Sequence, residues 1–256
     1  MKILISNDDG VYAEGLRVLY DALKDLGEVM VVAPLVERST TGHSLSLDNP
    51  LRVVEVEKNY FGISGFPADC TLFGIGHQYL KTFGRPDLVV SGINRGANLG
   101  QDIYYSGTVA AAREAAFHDI PGISVSTAGH FGEAKVKQEY ATAANFIRKL
   151  LQAGVTDILD PLTLININVP NIIEEKVEGV ELTKLALRKY SEKITERKDF
   201  RENPYYWIEG HYEGVEMGEG TDTGAIEKNK ISITPLNLLY YGPDKIPLWK
   251  KFIENI

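Results

Sequence analysis

Two adjacent carboxylates, Asp8 and Asp9, follow a short apolar run at residues 2–6 of the sequence. Adjacent carboxylates repel each other, and packing them against a buried strand costs free energy unless a cation offsets their charge. Hard divalent cations such as Mg²⁺, Mn²⁺ and Ca²⁺ prefer oxygen ligands. The pair therefore predicts a divalent metal site, and the alternative is that these residues only form a turn or a helix N-cap.

A glycine-rich stretch at residues 91–108 is the second candidate for chemistry, because its glycines let the backbone approach a ligand closely. The residues of this stretch that can contact a ligand are Asn94, Asn98, Ser106, Gly107 and Thr108. The last three precede a predicted helix, whose free N–H groups and dipole favour an anion such as phosphate. Alone, the stretch is equally compatible with a long loop and an ordinary N-cap. Beside the Asp pair, it indicates a phosphate held between a metal and a helix N-terminus.

Familiar phosphate motifs are missing from the sequence. There is no GxxxxGK[ST] and no GxGxxG after the first strand, so a P-loop NTPase and a dinucleotide-binding protein are both disfavoured. The DxD pattern of aspartyl-phosphate phosphatases is absent, since Gly10 stands two residues after Asp8. A receiver-type phosphoacceptor domain needs an Asp after its third strand, and residues 91–94 contain none.

The elements that must position these residues follow from hydrophobic periodicity. Strands are predicted at residues 2–6, 29–33, 88–91, 122–126, 163–169 and 231–235. Helices are predicted at residues 16–26, 68–81, 108–118, 136–151 and 247–256, and residues 35–50 are predicted as a long polar loop. Strands that alternate with helices predict an α/β fold, in which helices cover both faces of an open, mostly parallel sheet. Beyond about residue 170 the alternation is lost, which indicates an extension that packs on the main domain or on another subunit.

Composition narrows the classes of partner and compartment. The chain has 256 residues and a net charge of −8, which disfavours a polymeric nucleic acid as partner. Its one cysteine, Cys70, excludes an intramolecular disulfide and a CxxC zinc site. No apolar run reaches about 18 residues and no leader precedes the first strand, so we expect a cytoplasmic protein without a membrane partner. The five histidines do not cluster in sequence, and only His43 lies in the polar loop.

Several stretches together resemble the stationary-phase survival protein SurE family, which comprises metal-dependent 5′/3′-nucleotidases. They are ILISNDDG at 3–10, APLVERSTTGHSLSL at 33–47, PADC at 67–70, SGINRGANLGQDIYYSGTVAAAREA at 91–115, TDTGAI at 221–226 and ISITPL at 231–236. The resemblance runs almost end to end, and the stretch at 91–115 is its most specific part. Phe66 and Ala116 depart from the family pattern; neither is an implied metal ligand, and Phe66 is expected to bear on the substrate preference.

The resemblance implies both a ligand set and an architecture. One divalent cation per subunit, Mg²⁺ or Mn²⁺ with Ca²⁺ as a further option, is expected on Asp8, Asp9, Ser39 and Asn94. The implied fold is a Rossmann-like three-layer sandwich at residues 1–180. Residues 181–256 are the implied extension, an oligomerisation arm with a late strand and a terminal helix, exchanged between the subunits of a homodimer or homotetramer.

The predicted function is hydrolysis of nucleoside 5′- and 3′-monophosphates, with Asp8 and Asp9 as catalytic residues. Phosphate or substrate binding is expected from Asn98, Ser106, Gly107 and Thr108, together with His43, which is also a guess for the general acid. A water positioned by the metal is the expected nucleophile, with attack by an Asp carboxylate as the less favoured option. The alternative function is a non-catalytic sensor that binds a metal and a nucleotide without turnover.

Overall fold

The computed structural model describes residues 1–76, 83–129, 137–160, 162–215, 218–238 and 253. The strands are β1 (Lys2–Ser6), β2 (Glu28–Pro34), β3 (Val53–Glu57), β4 (Tyr60–Ile63), β5 (Leu88–Arg95), β6 (Gly122–Ala128), β7 (Thr163–Pro170), β8 (Val180–Leu182), β9 (Arg188–Tyr190), β10 (Ile194–Lys198), β11 (Pro204–Ile208), β12 (Tyr212–Val215) and β13 (Ile231–Asn237). The helices are α1 (Glu14–Leu23), α2 (Pro67–Gly76), α3 (Gly107–Phe117), α4 (Tyr140–Gln152) and α5 (Asp222–Glu227), with 3-10 helices at Gly100–Tyr104, Val155–Ile158 and Glu174–Lys176.

A large central sheet organises the described part of the chain. Nine strands pair in the order β3-β4-β2-β1-β5-β6-β7-β13-β8. The five pairings from β4 to β7 are all parallel, whereas β3 is antiparallel to β4 and β13 is antiparallel to β7. The predicted α/β fold with a mostly parallel sheet is therefore confirmed.

The parallel strands at the centre of the sheet are buried on both faces, to which their successive side chains point in turn. Ile3 and Ile5 pack in one hydrophobic cluster with residues of α1 and α4. Leu4, between them, packs in a second cluster that contains Cys70 of α2 and Ala115 of α3. The sheet thus lies between two helical layers, and within the described residues no helix is long and apolar enough to cross a membrane.

Most predicted elements are found, and the differences have local causes. Strand β1 has the predicted bounds, while β5 continues past residue 91 to Arg95. Helix α4 begins at Tyr140 rather than residue 136, because Asn171 holds the preceding backbone. Its side-chain amide donates to the Lys137 carbonyl at 3.1 Å, and its Oδ1 accepts from the Glu139 N–H at 2.6 Å. The terminal helix predicted at 247–256 and the end of the helix at 68–81 fall outside the described residues.

The last third contains short strands that periodicity did not predict. Strands β9 and β12 form one two-stranded antiparallel sheet, and β10 and β11 form another. Strands β8 and β13 instead join the edge of the central sheet. The β3–β4 hairpin at the opposite edge was also missed. The domain boundary at residue 180 and the exchange of the extension between subunits stay predictions.

Helix α1 packs closely on β5 through Gly15, and this contact gives a testable prediction. A Cβ at Gly15 would lie 2.2 Å from the carbonyl oxygen of Ile93 and 3.0 Å from the Tyr140 ring. Gly15→Ala is expected to lower the free energy of unfolding by about 2 kcal/mol or more, since the backbone must shift. Urea unfolding monitored by circular dichroism measures the change.

Gly76→Ala is the matched control, because a Cβ at the last residue of α2 meets no atom within 4 Å. Its effect should stay within about 0.5 kcal/mol, or be slightly stabilising since alanine favours helix. Equal effects of the two substitutions would contradict the close packing of α1 on β5.

Candidate active site

The carboxyl ends of β1 and β5 meet where the order of the sheet reverses. The chain proceeds from β1 to β2 on one side and from β5 to β6 and β7 on the other. In open parallel sheets such a reversal leaves a crevice that commonly binds ligands. Asp8 and Asp9 follow β1, and Asn94 is near the end of β5, so the predicted metal ligands from both strands lie at this point.

The Asp8 carboxylate lies against the first turn of α3. It is only 5% exposed, and its Oδ1 accepts a hydrogen bond from the hydroxyl of Thr108. A Cβ at Gly107 would lie 2.8 Å from Cβ of Asp8, so glycine is what permits this approach. Ser106 is the N-cap of α3 and accepts from the N–H of Val109 at 3.1 Å. The helix N-terminus predicted to hold phosphate therefore also holds a candidate metal ligand.

Burial sets the protonation of the two carboxylates. It raises the pKa of Asp8 to about 6, an effect that hydrogen bonds from Thr108 oppose and the neighbouring charge of Asp9 reinforces. Burial also raises the pKa of Asp9, against a hydrogen bond from the N–H of Arg95 at 3.0 Å. The protein alone thus stabilises the two negative charges incompletely.

The other two predicted ligands come from separate segments. The polar loop is joined to Asp8 by a hydrogen bond from the Arg38 N–H to the Asp8 carbonyl at 2.7 Å. In this loop the Ser39 hydroxyl donates to Glu37 at 2.7 Å. Asn94 uses its amide nitrogen to donate to the Gly96 carbonyl at 2.8 Å, which leaves its side-chain oxygen as the atom for a ligand.

This donor set fits a hard divalent cation. None of the ion pairs in the described part of the chain involves Asp8 or Asp9. The described residues also contain no group of three His, Cys, Asp or Glu side chains that could hold a metal. Two carboxylates supplemented by neutral oxygens and water suit Mg²⁺ or Mn²⁺, which keep several waters, better than a softer metal.

Asn98 is held by a buried polar cluster beneath the glycine-rich stretch. The main-chain carbonyl of Asn98 accepts from the side-chain amides of Asn166 and Asn168 at 2.8 and 2.9 Å. The side-chain amide of Asn98 donates to the Ser126 hydroxyl at 2.8 Å. Asn166 and Asn168 lie two residues apart, fully buried in β7. Two asparagines on one face of an otherwise apolar strand were a signal in the sequence for this cluster.

A cavity of about 580 Å³ joins these residues. The residues that line it are Asp8, Ser39, Thr40, Asn94, Arg95, Ala97, Asn98, Asp102, Tyr105, Ser106, Tyr190 and Ile208. It thus brings together five predicted site residues. Asp9 and Gly107 are adjacent to two of them in the chain, and Thr108 is hydrogen-bonded to Asp8. Tyr190 and Ile208 lie in the predicted extension, and no local sequence pattern indicated that they would line this cavity.

His43 is placed differently from the other predicted site residues, because it does not line this cavity. Its Nε2 lies 2.6 Å from Oε2 of Glu114 in α3, and its ring packs on Phe117. His118 contacts the other oxygen of the same carboxylate at 3.1 Å. Burial alone would raise the pKa of Glu114. The hydrogen bonds and charges of the two histidines lower it by more, so the pKa of Glu114 is below its ordinary value. This cluster joins the polar loop to α3, and a role of His43 in substrate binding stays a prediction.

Fold and site together define a Rossmann-like α/β protein with an acidic, oxygen-rich site at the reversal of a parallel sheet. The chain belongs to the SurE family, because the model of the family described as survival protein SurE matches residues 3–192. The resemblance seen in the sequence motifs is confirmed.

Individual relatives extend this similarity over the whole chain. A protein named 5′-nucleotidase SurE from Vibrio cholerae serotype O1 is 42% identical over 238 residues, which cover 93% of this chain and 92% of the relative. A protein of the same name from Nitrosococcus oceani is 42% identical over 258 residues, with 100% of both chains covered. The crystal structure of the SurE protein from Aquifex aeolicus matches with a TM-score of 0.84 at 34% identity, covering 98% of this chain and 99% of that one.

Because the pKa of Asp8 is raised in the folded state, ionisation of this carboxylate is predicted to lower the free energy of unfolding of the metal-free protein. The folded-state value of about 6 exceeds the ordinary 3.8, so the cost is absent below about pH 4 and complete above about pH 6. The difference corresponds to about 3 kcal/mol. In EDTA, Asp8→Asn should therefore be more stable than the wild type at pH 8 by up to that amount, but not at pH 4.

Urea unfolding of both proteins at the two pH values measures this difference. Added Mg²⁺ or Mn²⁺ should stabilise the wild type and leave Asp8→Asn unchanged, since a cation that binds the folded state stabilises it. An Asp8→Asn variant that is less stable than the wild type at both pH values would show that the protein compensates the charge without metal.

Proposed function

We propose that this chain is a divalent-metal-dependent phosphomonoesterase that hydrolyses nucleoside 5′-monophosphates, and also 3′-monophosphates, to nucleoside and phosphate. The relatives named 5′-nucleotidase SurE, which match it over nearly all its length, support hydrolysis of phosphoric monoesters. The geometry supports it independently, since an acidic pair and a helix N-terminus meet at one cavity.

The observation that carries the proposal is the buried Asp8 carboxylate against the first turn of α3. A phosphate that enters this cavity brings negative charge next to a carboxylate pair that already repels it. Binding without a cation would be opposed by this repulsion, so the arrangement favours a metal between the acidic pair and the substrate. We propose one divalent cation per subunit on Asp8, Asp9, Ser39 and Asn94.

The residues of the cavity have separable roles toward the phosphate. The Ser106 hydroxyl keeps its proton to donate, because its oxygen accepts the Val109 N–H. The side-chain nitrogen of Asn98 has a second hydrogen beyond the one given to Ser126. Both groups, with the N–H of Gly107, would stabilise the charge that develops on the phosphoryl oxygens.

When bound, the cation supplies Lewis acidity at the phosphoryl group and acidifies water. Asp8 accepts a hydrogen bond from the Thr108 hydroxyl and would also hold the metal, so its carboxylate would be a poor nucleophile. We therefore propose water as the nucleophile. The cytoplasm remains the expected location.

We also propose a homodimer or homotetramer formed through residues 181–256. The β10–β11 hairpin supports this, because it exposes large apolar side chains that an interface would cover. Phe200 at its tip is 90% exposed, and Trp207 is 56% exposed.

The test is phosphate release from a panel of nucleoside monophosphates. EDTA should abolish release, and Mg²⁺ or Mn²⁺ should restore it. Asp8→Asn should lower kcat by at least about 100-fold with either metal, because the metal loses a principal ligand. Asp48→Asn is the matched control, an exposed aspartate in the polar loop that does not line the cavity, and its activity should be unchanged.

The outcomes separate the competing functions. Release that resists EDTA would refute the metal dependence. A folded wild type that binds a nucleoside monophosphate with metal, yet releases no phosphate, would instead identify a sensor.

A further inference from the structure

The segment of the polar loop around Ser39 is held to the rest of the protein by main-chain hydrogen bonds at both of its ends. Ser39 lines the cavity. Before it, the Arg38 N–H donates to the Asp8 carbonyl at 2.7 Å, and after it, the Gly42 N–H donates to the Tyr105 carbonyl at 2.9 Å. These bonds locate the ends of the segment beside the acidic pair and the start of α3.

Thr40, next to Ser39, has a backbone conformation that its own side chain disfavours. Its φ is 55°, in the left-handed region, which is rare for a β-branched residue. Such a conformation costs free energy and persists only where surrounding contacts over-determine it. The Ser39 segment therefore depends on the contacts that hold it, and it is expected to relax when one of them is lost.

Among the ion pairs of the described residues, the polar loop takes part in one, between His43 and Glu114. The His43 Nε2 lies 2.6 Å from Oε2 of Glu114, and the imidazole packs on the Phe117 ring. Glu114 is only 5% exposed. Although burial alone would raise its pKa, the two histidines hold the pKa of Glu114 below its ordinary value, so the carboxylate is ionised at neutral pH. An ionised carboxylate inside the protein is a strong acceptor for the loop.

The orientation of the His43 ring favours an anchor over a proton donor to the substrate. Its Nε2 faces Glu114, and its Nδ1 is buried and makes no hydrogen bond to any of the described residues. A general acid must come within hydrogen-bond reach of the leaving group. His43 does not line the cavity, so neither ring nitrogen is placed for that transfer.

Helix α3 connects this anchor to the acidic pair. The first turn of α3 contacts Asp8 through Thr108, and Glu114 lies further along the same helix. Asp8 and Ser39 come from different segments, yet contacts with one helix set the position of both. A small divalent cation demands near-ideal ligand positions, and groups that orient its ligands affect its affinity.

We propose that Glu114 is a positioning residue that holds the Ser39 segment in place for the metal, acting through His43. This inference rests on the proposed function, since Ser39 is a proposed metal ligand. It assigns His43 to the anchor of the loop and not to proton transfer.

Hydrogen exchange of the metal-free protein tests the anchor directly. In EDTA, peptides that cover residues 39–46 should exchange at least about three-fold faster in Glu114→Gln and His43→Leu than in the wild type, because the loop opens more easily. His118→Leu is the matched control, since it removes the other histidine from the same carboxylate and leaves the loop contact in place. Its loop should exchange as in the wild type. Unchanged exchange in Glu114→Gln and His43→Leu would overturn the inference.

Calorimetric titration with Mn²⁺, in the absence of substrate, tests the consequence for the metal. Glu114→Gln and His43→Leu should each bind Mn²⁺ about 10-fold more weakly than the wild type, whereas kcat at saturating Mn²⁺ should fall by less than about three-fold. His43→Gln keeps an N–H that can donate to Glu114, and its affinity should lie within about two-fold of the wild type. A general acid at position 43 would instead give a loss of kcat of about 100-fold in both His43 variants, which would overturn the anchor.

The double variant Glu114→Gln/His43→Leu shows whether the two residues act together. Its Mn²⁺ affinity should equal that of the weaker single variant, because either substitution alone already breaks the contact. Additive losses would show that Glu114 acts by another route and would overturn the inference.

Two further results have distinct meanings. Should Glu114→Gln fail to fold, the comparison of His43→Leu with His43→Gln decides the inference, because both change only a residue of the loop. A wild type that binds neither Mg²⁺ nor Mn²⁺ would contradict the proposed function itself, and hydrogen exchange in EDTA would still decide whether Glu114 anchors the loop.

Discussion

The Asp8 carboxylate is removed from water at the end of the first strand and accepts hydrogen bonds from the helix that begins about 100 residues later. A buried carboxylate is costly unless donors surround it, and the first turn of α3 supplies them. That contact requires a residue without a side chain at Gly107. It also requires α3 to lie close to the sheet, which its buried alanines permit. A Cβ at Gly122 of β6 would lie 2.2 Å from the carbonyl of Ala112, so the same closeness holds along the helix.

Everything else at the site is arranged around that carboxylate by longer-range contacts. The polar loop reaches it through Arg38, and Glu114 holds the same loop to α3 through His43. Beneath the glycine-rich stretch, buried asparagines of β7 bind the backbone of Asn98. These contacts use polar groups inside the protein, where each must find a partner. The site is thus supported by hydrogen bonds that reach it from distant parts of the chain.

The sequence predicted the parallel sheet and its helices well, because their signals are local. The run at residues 2–6 and the leucine stripe of α1 report burial on one or both faces of an element, and the structure has them there. The continuation of β5 to Arg95 was missed because its polar and glycine residues are typical of loops. The start of α4 was misplaced because Asn171, which lies more than 30 residues away, determines it.

The candidate site shows the same division between local and distant signals. The acidic pair and the glycine-rich stretch are visible as motifs, and their convergence follows from the edge that parallel strands share. Arg188 and Tyr190 were not predicted as site residues, because their contacts with Asp102 span more than 80 residues of sequence. The interleaved charged and aromatic residues at 188–207 do not indicate which of them reach the site.

The connection between Asp102 and Arg188 also bears on how such an enzyme can diversify. The predicted metal and phosphate ligands that line the cavity lie between positions 8 and 106, whereas Tyr190 and Ile208 line it from the late segment of the chain. The ion pair between Arg188 and Asp102, the Tyr190 hydroxyl on the same carboxylate and the bonds of the Gln101 side chain to the Arg188 backbone join the two groups. Substitutions at Tyr190 or Ile208 can therefore reshape one wall of the cavity while the contacts among β1, β5 and α3 stay as they are.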